Sequence, residues 1–289
     1  MALVLAGCTQ AETTLDLTDD TDTLSYETEE EAVSGTLTFT DAFGQEHTMD
    51  VLSSVAPNDY DSSCFELNGQ KMSYTDSENY TYRLGVDVSY YQGDIDWNKV
   101  AKAGYEFAFI RLGFRGYNEK GNIKLDKAYD TNLKEAAAAG LDVGVYFYSQ
   151  AITESEAIEE AEYVLSRLEE TQLQLPVVYD PEYVYDEDGS LNDEARTSTL
   201  EGEQITANAL AFCQTIESAG YEAAIYANLL SEAEVFDLAT LSDYTIWYAD
   251  YSETPQTPYH FTFWQSSETG SVKGIDGDVD LDIQLIQVY

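Results

Sequence analysis

From Leu84 onward the chain alternates between two patterns. Short apolar runs rich in β-branched and aromatic residues stand at about 84–89, 106–112, 142–148, 175–180, 222–227, 245–249, 261–265 and 279–286. Helical patterns fill the first five gaps, at about 96–103, 125–139, 153–170, 201–219 and 230–239. Ala136 to Ala139 followed by Gly140 reads as a helix closed by a C-terminal glycine. Strands alternating with helices predict parallel βαβ units. Eight strands with five helices predict an α/β fold: a TIM-like, irregular (β/α)5(β)3 barrel in which the last strands follow one another without helices. Functional groups in such barrels gather at the C-terminal ends of the strands.

The first 82 residues follow other rules. Residues 1–8, Met-Ala-Leu-Val-Leu-Ala-Gly-Cys, read as a truncated lipoprotein signal. Leu5-Ala6-Gly7-Cys8 resembles a lipobox, with Cys8 as the lipidated thiol. Acylation there would tether the chain without a spanning helix. Residues 9–32 are rich in Thr, Asp and Glu and hold no Lys or Arg, the composition of a disordered spacer. Over 33–82, Thr36-Leu37-Thr38-Phe39-Thr40 alternates like a strand. Asn68-Gly69 between two extended runs signals a hairpin, so a small β-rich appendage is expected. The barrel domain is expected over 83–289.

One predicted strand end carries candidate chemistry. Val177-Val178-Tyr179-Asp180-Pro181-Glu182 runs from apolar residues into two carboxylates one residue apart. In an extended chain, positions i and i+2 share a face, so Asp180 and Glu182 project together. Pro181 has no amide donor and suits a strand exit. Two adjoining carboxyls cannot both ionise freely, so one can remain a proton donor.

Composition narrows the chemistry. With 55 acidic residues against 13 Lys plus Arg, the formal charge is −42, which argues against nucleic acid as a partner. Only two histidines, His47 and His260, are present, which leaves little room for a Ser-His-Asp triad or a multi-histidine zinc site. Cys8, Cys64 and Cys213 form no CxxC pair, so no zinc cluster is expected. The 23 tyrosines offer faces for sugar stacking as well as core packing.

The barrel segment resembles glycoside hydrolase family 25, the Chalaropsis-type lysozymes. The likeness opens at Leu84-Gly85-Val86-Asp87-Val88-Ser89-Tyr90-Tyr91-Gln92-Gly93-Asp94-Ile95-Asp96-Trp97. It continues through Phe107-Ala108-Phe109-Ile110-Arg111, Val143-Gly144-Val145-Tyr146-Phe147-Tyr148 and Val178-Tyr179-Asp180-Pro181-Glu182. Ala224-Ile225-Tyr226-Ala227-Asn228, Ile246-Trp247-Tyr248-Ala249-Asp250-Tyr251, Phe263-Trp264-Gln265 and Gly277-Asp278-Val279-Asp280-Leu281-Asp282 complete it in order. Tyr90-Tyr91 stands where the family commonly has His-Trp, and Arg111 where a lysine is frequent.

The resemblance implies an N-acetylmuramidase acting on the β-1,4 bond between N-acetylmuramic acid and N-acetylglucosamine. Glu182 would be the general acid. Asp180 would orient the substrate's 2-acetamido group, or else Asp180 or Asp87 would act directly as base or nucleophile. Asp280 would complete an acidic ring, with Asp278 and Asp282 as rivals for that place. Tyr91, Tyr146, Tyr179, Tyr226, Trp247, Trp264 and Arg111 form the expected substrate-binding set. The implied partner is the peptidoglycan glycan strand, met by a monomer at the outer face of a membrane or in secreted form, with no metal or organic cofactor. A non-catalytic glycan-binding lipoprotein and a hydrolase of another 2-acetamido polysaccharide are the competing readings.

Overall fold

Eight strands close on themselves with an apolar face turned outward and an inward face that mixes large aromatic residues on some strands with glycine and carboxylates on others. The computed structural model describes residues 33–41, 44–168, 171–186 and 190–288. The expected lipidation site at Cys8 and the expected spacer over 9–32 lie outside the described residues.

Ahead of the barrel come two hairpins, β1 (Val33–Thr40) with β2 (Glu46–Leu52) and β3 (Phe65–Asn68) with β4 (Lys71–Tyr74). The second turn lies one residue later than the Asn-Gly signal suggests. Asn68 pairs with Lys71, leaving Gly69 and Gln70 as the loop, with Gly69 at φ 70°. Both hairpins dock on the barrel within one compact unit, Ala32–Tyr289. Tyr60 donates its hydroxyl proton to the Phe261 carbonyl, and Leu52 N–H donates to the Tyr259 hydroxyl at 3.0 Å. His47 on β2 reaches Glu234 at 2.6 Å.

The barrel follows as β5 (Tyr80–Val88), α1 (Trp97–Lys102), β6 (Phe107–Arg115), β7 (Ile123–Leu125), α2 (Tyr129–Ala138), β8 (Asp142–Ser149), α3 (Glu154–Leu168), β9 (Val177–Pro181), α4 (Gly202–Ser218), β10 (Ala223–Asn228), α5 (Leu229–Glu234), β11 (Thr245–Ala249), β12 (Phe263–Gly270) and β13 (Val279–Gln287). The closed ring is β5-β6-β8-β9-β10-β11-β12-β13, with β7 pairing outside it on β6. Six pairings are parallel; β13 is antiparallel to both β12 and β5. The (β/α)5(β)3 barrel expected from the sequence is therefore the observed fold.

Caps explain several element starts. Asp96 accepts from Lys99 N–H ahead of α1, and Asn228 forms a reciprocal box with Ser231 ahead of α5. Gly140 closes α2 at φ 89°.

Aromatic residues fill the barrel interior: Phe107, Phe109, Tyr146, Trp247 and Phe263, with Leu175, Val178 and Ala224. Burying each large side chain stabilises by roughly 1.5–3 kcal/mol. Glycine makes room for them. A Cβ on Gly85 would lie 2.2 Å from the Phe107 ring, and one on Gly144 would lie 2.6 Å from Phe109. Outward residues such as Val86, Val145, Tyr179 and Tyr248 join the larger core under the helices. The interior is thus plugged below, and the polar inward positions stand above the plug at the mouth.

Candidate active site

Strand alternation builds the site. On β9, Val178 and Asp180 face inward, and Glu182 continues that face past Pro181. Gln150, which follows β8, fixes this exit. Its Nε2 donates to the Glu182 carbonyl, and its Oε1 accepts from Thr197 Oγ1 at 2.9 Å. Asp180 is buried and Glu182 opens to solvent. The two carboxyls lie close enough to share a proton.

Burial pushes Asp180 well above the usual carboxylate range, and Glu182 beside it adds to the rise. Glu182 is also raised, because cleft walls displace water from around its carboxyl although the residue faces the opening. A cavity of about 210 Å³ opens beside it, lined in part by Pro181, Tyr183, Leu200, Ile205, Tyr226 and Val235. The nearby Arg111 charge restrains both shifts. Asp180 is the deeper group, and its Oδ1 has no hydrogen-bond donor among the described residues. Of the two, Asp180 is the group that burial pushes further from ionisation.

A second acidic group faces this pair. Asp87 on β5 is buried and lies opposite Asp280 in the antiparallel β13–β5 register. Burial, reinforced by Asp280 and Asp282, pushes Asp87 far up. Asp280 is raised to about 6, chiefly by burial. Asp282, two residues along the same face, is also buried. Its Oδ1 accepts from Trp247 Nε1 at 2.9 Å, while its Oδ2 has no donor among the described residues. Both Asp280 and Asp282 belong to the acidic ring, whereas Asp278 is exposed in the loop before β13.

Gln265 ties the ring together, and sequence reasoning passed it over. Its Oε1 accepts from Tyr226 at 2.8 Å and from Tyr251 at 2.9 Å. Those two hydroxyls orient the amide, so Nε2 donates to Asp87 Oδ2 at 2.7 Å. Asp126 was missed as well. It holds Arg111 through Nε and Nη2, both at 2.9 Å, and aims the guanidinium at the mouth. Tyr148, inward at the end of β8, lies near Glu182 and Asp180, and burial raises its hydroxyl so that it stays protonated. Tyr148 and Gln265 stood within the strand motifs given above, so the i, i+2 rule applied to each strand was the available signal; Asp126, in the loop ahead of α2, lay outside all of them.

The expected aromatic set divides. Tyr146 and Tyr226 face inward at the mouth, and Tyr91 is 72% exposed on its rim. Trp247 faces inward but is only 1% exposed and stacks on Phe109 at 4.6 Å. It forms the floor and a donor to Asp282, so it is not an open platform for a sugar. Tyr179 and Trp264 point away from the mouth. Tyr179 packs on Phe212 of α4, and Trp264 packs edge-on against Phe65 of β3 at 5.2 Å while donating to the Asp250 carbonyl. The cause is alternation: Asp180 and Gln265 occupy the inward places, so their neighbours face outward.

The arrangement offers a proton-sharing carboxyl pair, a facing carboxyl group that also retains protons, a fixed cation and hydroxyl donors. That equipment suits protonation of a leaving oxygen and stabilisation of developing positive charge.

Comparison with known proteins agrees with this geometry. The family model described as glycosyl hydrolases family 25 matches residues 86–275. The chain is similar to an autolytic lysozyme of Clostridium acetobutylicum, 26% identical over 199 residues, covering 68% of this chain and 54% of that protein. It is similar also to lysozyme M1 of Streptomyces globisporus, 29% identical over 204 residues, covering 68% of this chain and 65% of that protein. The chain thus spans less than two thirds of either relative. In fold it resembles the modular autolysin LytC of Streptococcus pneumoniae, with a TM-score of 0.61 at 22% identity, covering 88% of this chain and 57% of that one. With the profile spanning most of the barrel and the acidic mouth in place, the chain belongs to family 25 of the glycosyl hydrolases.

Proposed function

We propose that this protein is a peptidoglycan hydrolase that cleaves the β-1,4 bond between N-acetylmuramic acid and N-acetylglucosamine. The observation that carries the reading is the proton-sharing pair of Asp180 and Glu182 at the barrel mouth.

Glu182 donates its proton to the leaving oxygen as the glycosidic bond breaks. Asp180 acts through the substrate. Its buried Oδ1 awaits a donor, and an acetamido N–H is such a donor. That hydrogen bond would favour ionised Asp180 and move the shared proton onto Glu182, arming the acid when substrate arrives. The acetamido oxygen then attacks the anomeric carbon, and water later opens the cyclic intermediate with Glu182 as base. The burial of Asp180 favours this version over direct attack by its own carboxylate. Asp280, which ionises above about pH 6, opposes the positive charge that develops on the sugar, while Asp87 and Asp282, kept neutral by burial, hold the wall around it by hydrogen bonds. Tyr146, Tyr226 and Arg111 line its approach, and Tyr91 offers the exposed stacking face. The same reading places the protein outside the cell, facing the wall, with Leu5-Ala6-Gly7-Cys8 supporting lipid attachment at Cys8.

Reducing-end analysis of digested, purified peptidoglycan tests the bond. New muramic acid ends are expected. New glucosamine ends would reassign the bond. Wall binding without any new ends would favour a non-catalytic glycan-binding protein.

A further inference from the structure

A cluster of this chain's scarce positive charge, Arg111, Lys124 and Lys127, stands on one side of the mouth. Five of its 13 lysines and arginines fall between residues 111 and 127, against two acidic residues, Glu119 and Asp126. Arg115 is spent internally, buried against Glu159 and Glu160. Arg111 is held by Asp126 at the edge of the catalytic pair.

Lys124 and Lys127 are exposed and make no ion pair with a described residue. Aromatic rings position both. Lys124 Nζ lies 5.8 Å from the centre of the Phe114 ring, and Lys127 Nζ lies 5.0 Å from that of Tyr90. Arg111 sits against the same surface, 5.2 Å from Tyr90, 5.4 Å from Tyr91 and 5.4 Å from Phe114. Cation–π contact holds the ammonium groups at the rim and leaves their N–H donors free. The antiparallel pairing of Phe114 with Lys124 carries this surface beyond the closed ring on β7.

We propose that this wall, with Lys124 and Lys127 as its charged groups, binds the carboxylates of the short peptide borne by the glycan's muramic acid residues. The inference rests on the peptidoglycan reading above. A ligand for this wall needs an anion near the scissile sugar, because Arg111 joins the wall to Asp180 and Glu182. It also needs to be flexible enough to lie along a rim. A peptide attached through the lactyl group of the sugar meets both needs. Elsewhere the −42 charge repels polyanions, so a local basic face also sets which way round the strand enters.

Soluble, uncrosslinked glycan strands with their peptides, and the same strands stripped of peptide, provide the test. Wild type is compared with Lys124→Ala/Lys127→Ala and Lys124→Glu/Lys127→Glu. On peptide-bearing strands the alanine variant should raise KM about threefold to tenfold with kcat little changed, the contribution of two exposed charge contacts, and the glutamate variant should raise it further. On stripped strands all three proteins should coincide, which also shows that the variants are folded. Equal losses on both substrates, or no loss on either, would overturn the proposal. So would variants that lose affinity only for a phosphate-rich wall polymer while handling peptide-bearing strands normally. Wild type that cleaves neither strand would instead refute the hydrolase reading beneath it.

Discussion

Asp280 lies directly opposite Asp87, the two paired in register across the antiparallel β13–β5 ladder. The reversed last strand therefore brings its beginning, not its end, to the mouth, and places a second carboxyl against the first. Neither group ionises there at its ordinary pH, and this has consequences for stability.

A buried acid whose pKa is raised binds its proton more tightly folded than unfolded, so stability falls as pH rises from the unfolded value through the folded one. Asp280, raised to about 6, does so between about pH 4 and 6. Glu160, at about 7, and Glu232, at about 8, extend the fall toward neutrality. Asp61, Asp96 and Glu156 are held low, so their contributions are lost only in more acid solution. Thermal melts should therefore show the highest Tm near pH 4–5 and a decline toward pH 8. Asp280→Asn should raise Tm at pH 7 by a few degrees, about what ~1 kcal/mol is worth in a domain of this size, and flatten the decline. An unchanged profile would mean Asp280 ionises freely.

Gln265 holds Asp87 through one amide nitrogen while two tyrosines hold its oxygen. Gln265→Leu removes the donor to Asp87 and leaves two hydroxyls without their acceptor. Denaturant unfolding should show a loss of about 1–3 kcal/mol, and kcat should fall roughly tenfold through the misplaced Asp87. Wild-type turnover in this variant would remove Asp87 from the working site.

Trp264 and Tyr91 were both expected to meet sugar, and the structure separates them. Trp264 is fully buried against the β3–β4 hairpin, while Tyr91 stands open on the rim. Trp264→Ala should cost roughly 3–5 kcal/mol in stability. Tyr91→Ala should leave Tm nearly unchanged and raise KM severalfold, since one aromatic platform is worth about 1 kcal/mol. The opposite pattern would invert the assignment.

Much of the barrel was legible because apolar runs of strand length alternated with helical periodicity. The Asp180–Glu182 pair was legible because one spacing rule places both on one face. That rule, carried one residue further, also turns Tyr179 outward, as it does Trp264 beside Gln265. A motif match alone conceals this, because it treats consecutive residues as one patch. Strand direction was not legible. Alternation reads the same both ways along β13, and only pairing shows that Asp280 and Asp282 enter from its beginning. Alternation from Phe263 turns Gln265 inward, but its bond to Asp87 joins strands distant in sequence, and Asp126, in a loop, carries no local signal. Strand β7 was hidden because Ile123–Leu125 is short and runs into the expected start of α2.

The coupled pair makes its own kinetic prediction. With one proton shared between two raised carboxyls, the pH profile of kcat/KM should be bell-shaped, its limbs belonging to the pair as a whole. Asp180→Asn should lower kcat by at least about 100-fold and abolish one limb, because an amide cannot exchange the proton with Glu182.

The most direct measurement compares Glu182→Gln with wild type on purified glycan strands, reading both strand binding and new reducing ends. Glutamine keeps the shape and hydrogen-bonding capacity of the side chain but cannot donate a proton to the leaving oxygen. Turnover lower by about 100- to 10,000-fold with binding intact is the predicted result. Turnover within threefold of wild type would show that the proton comes from elsewhere and would contradict the assignment of Glu182 as the acid.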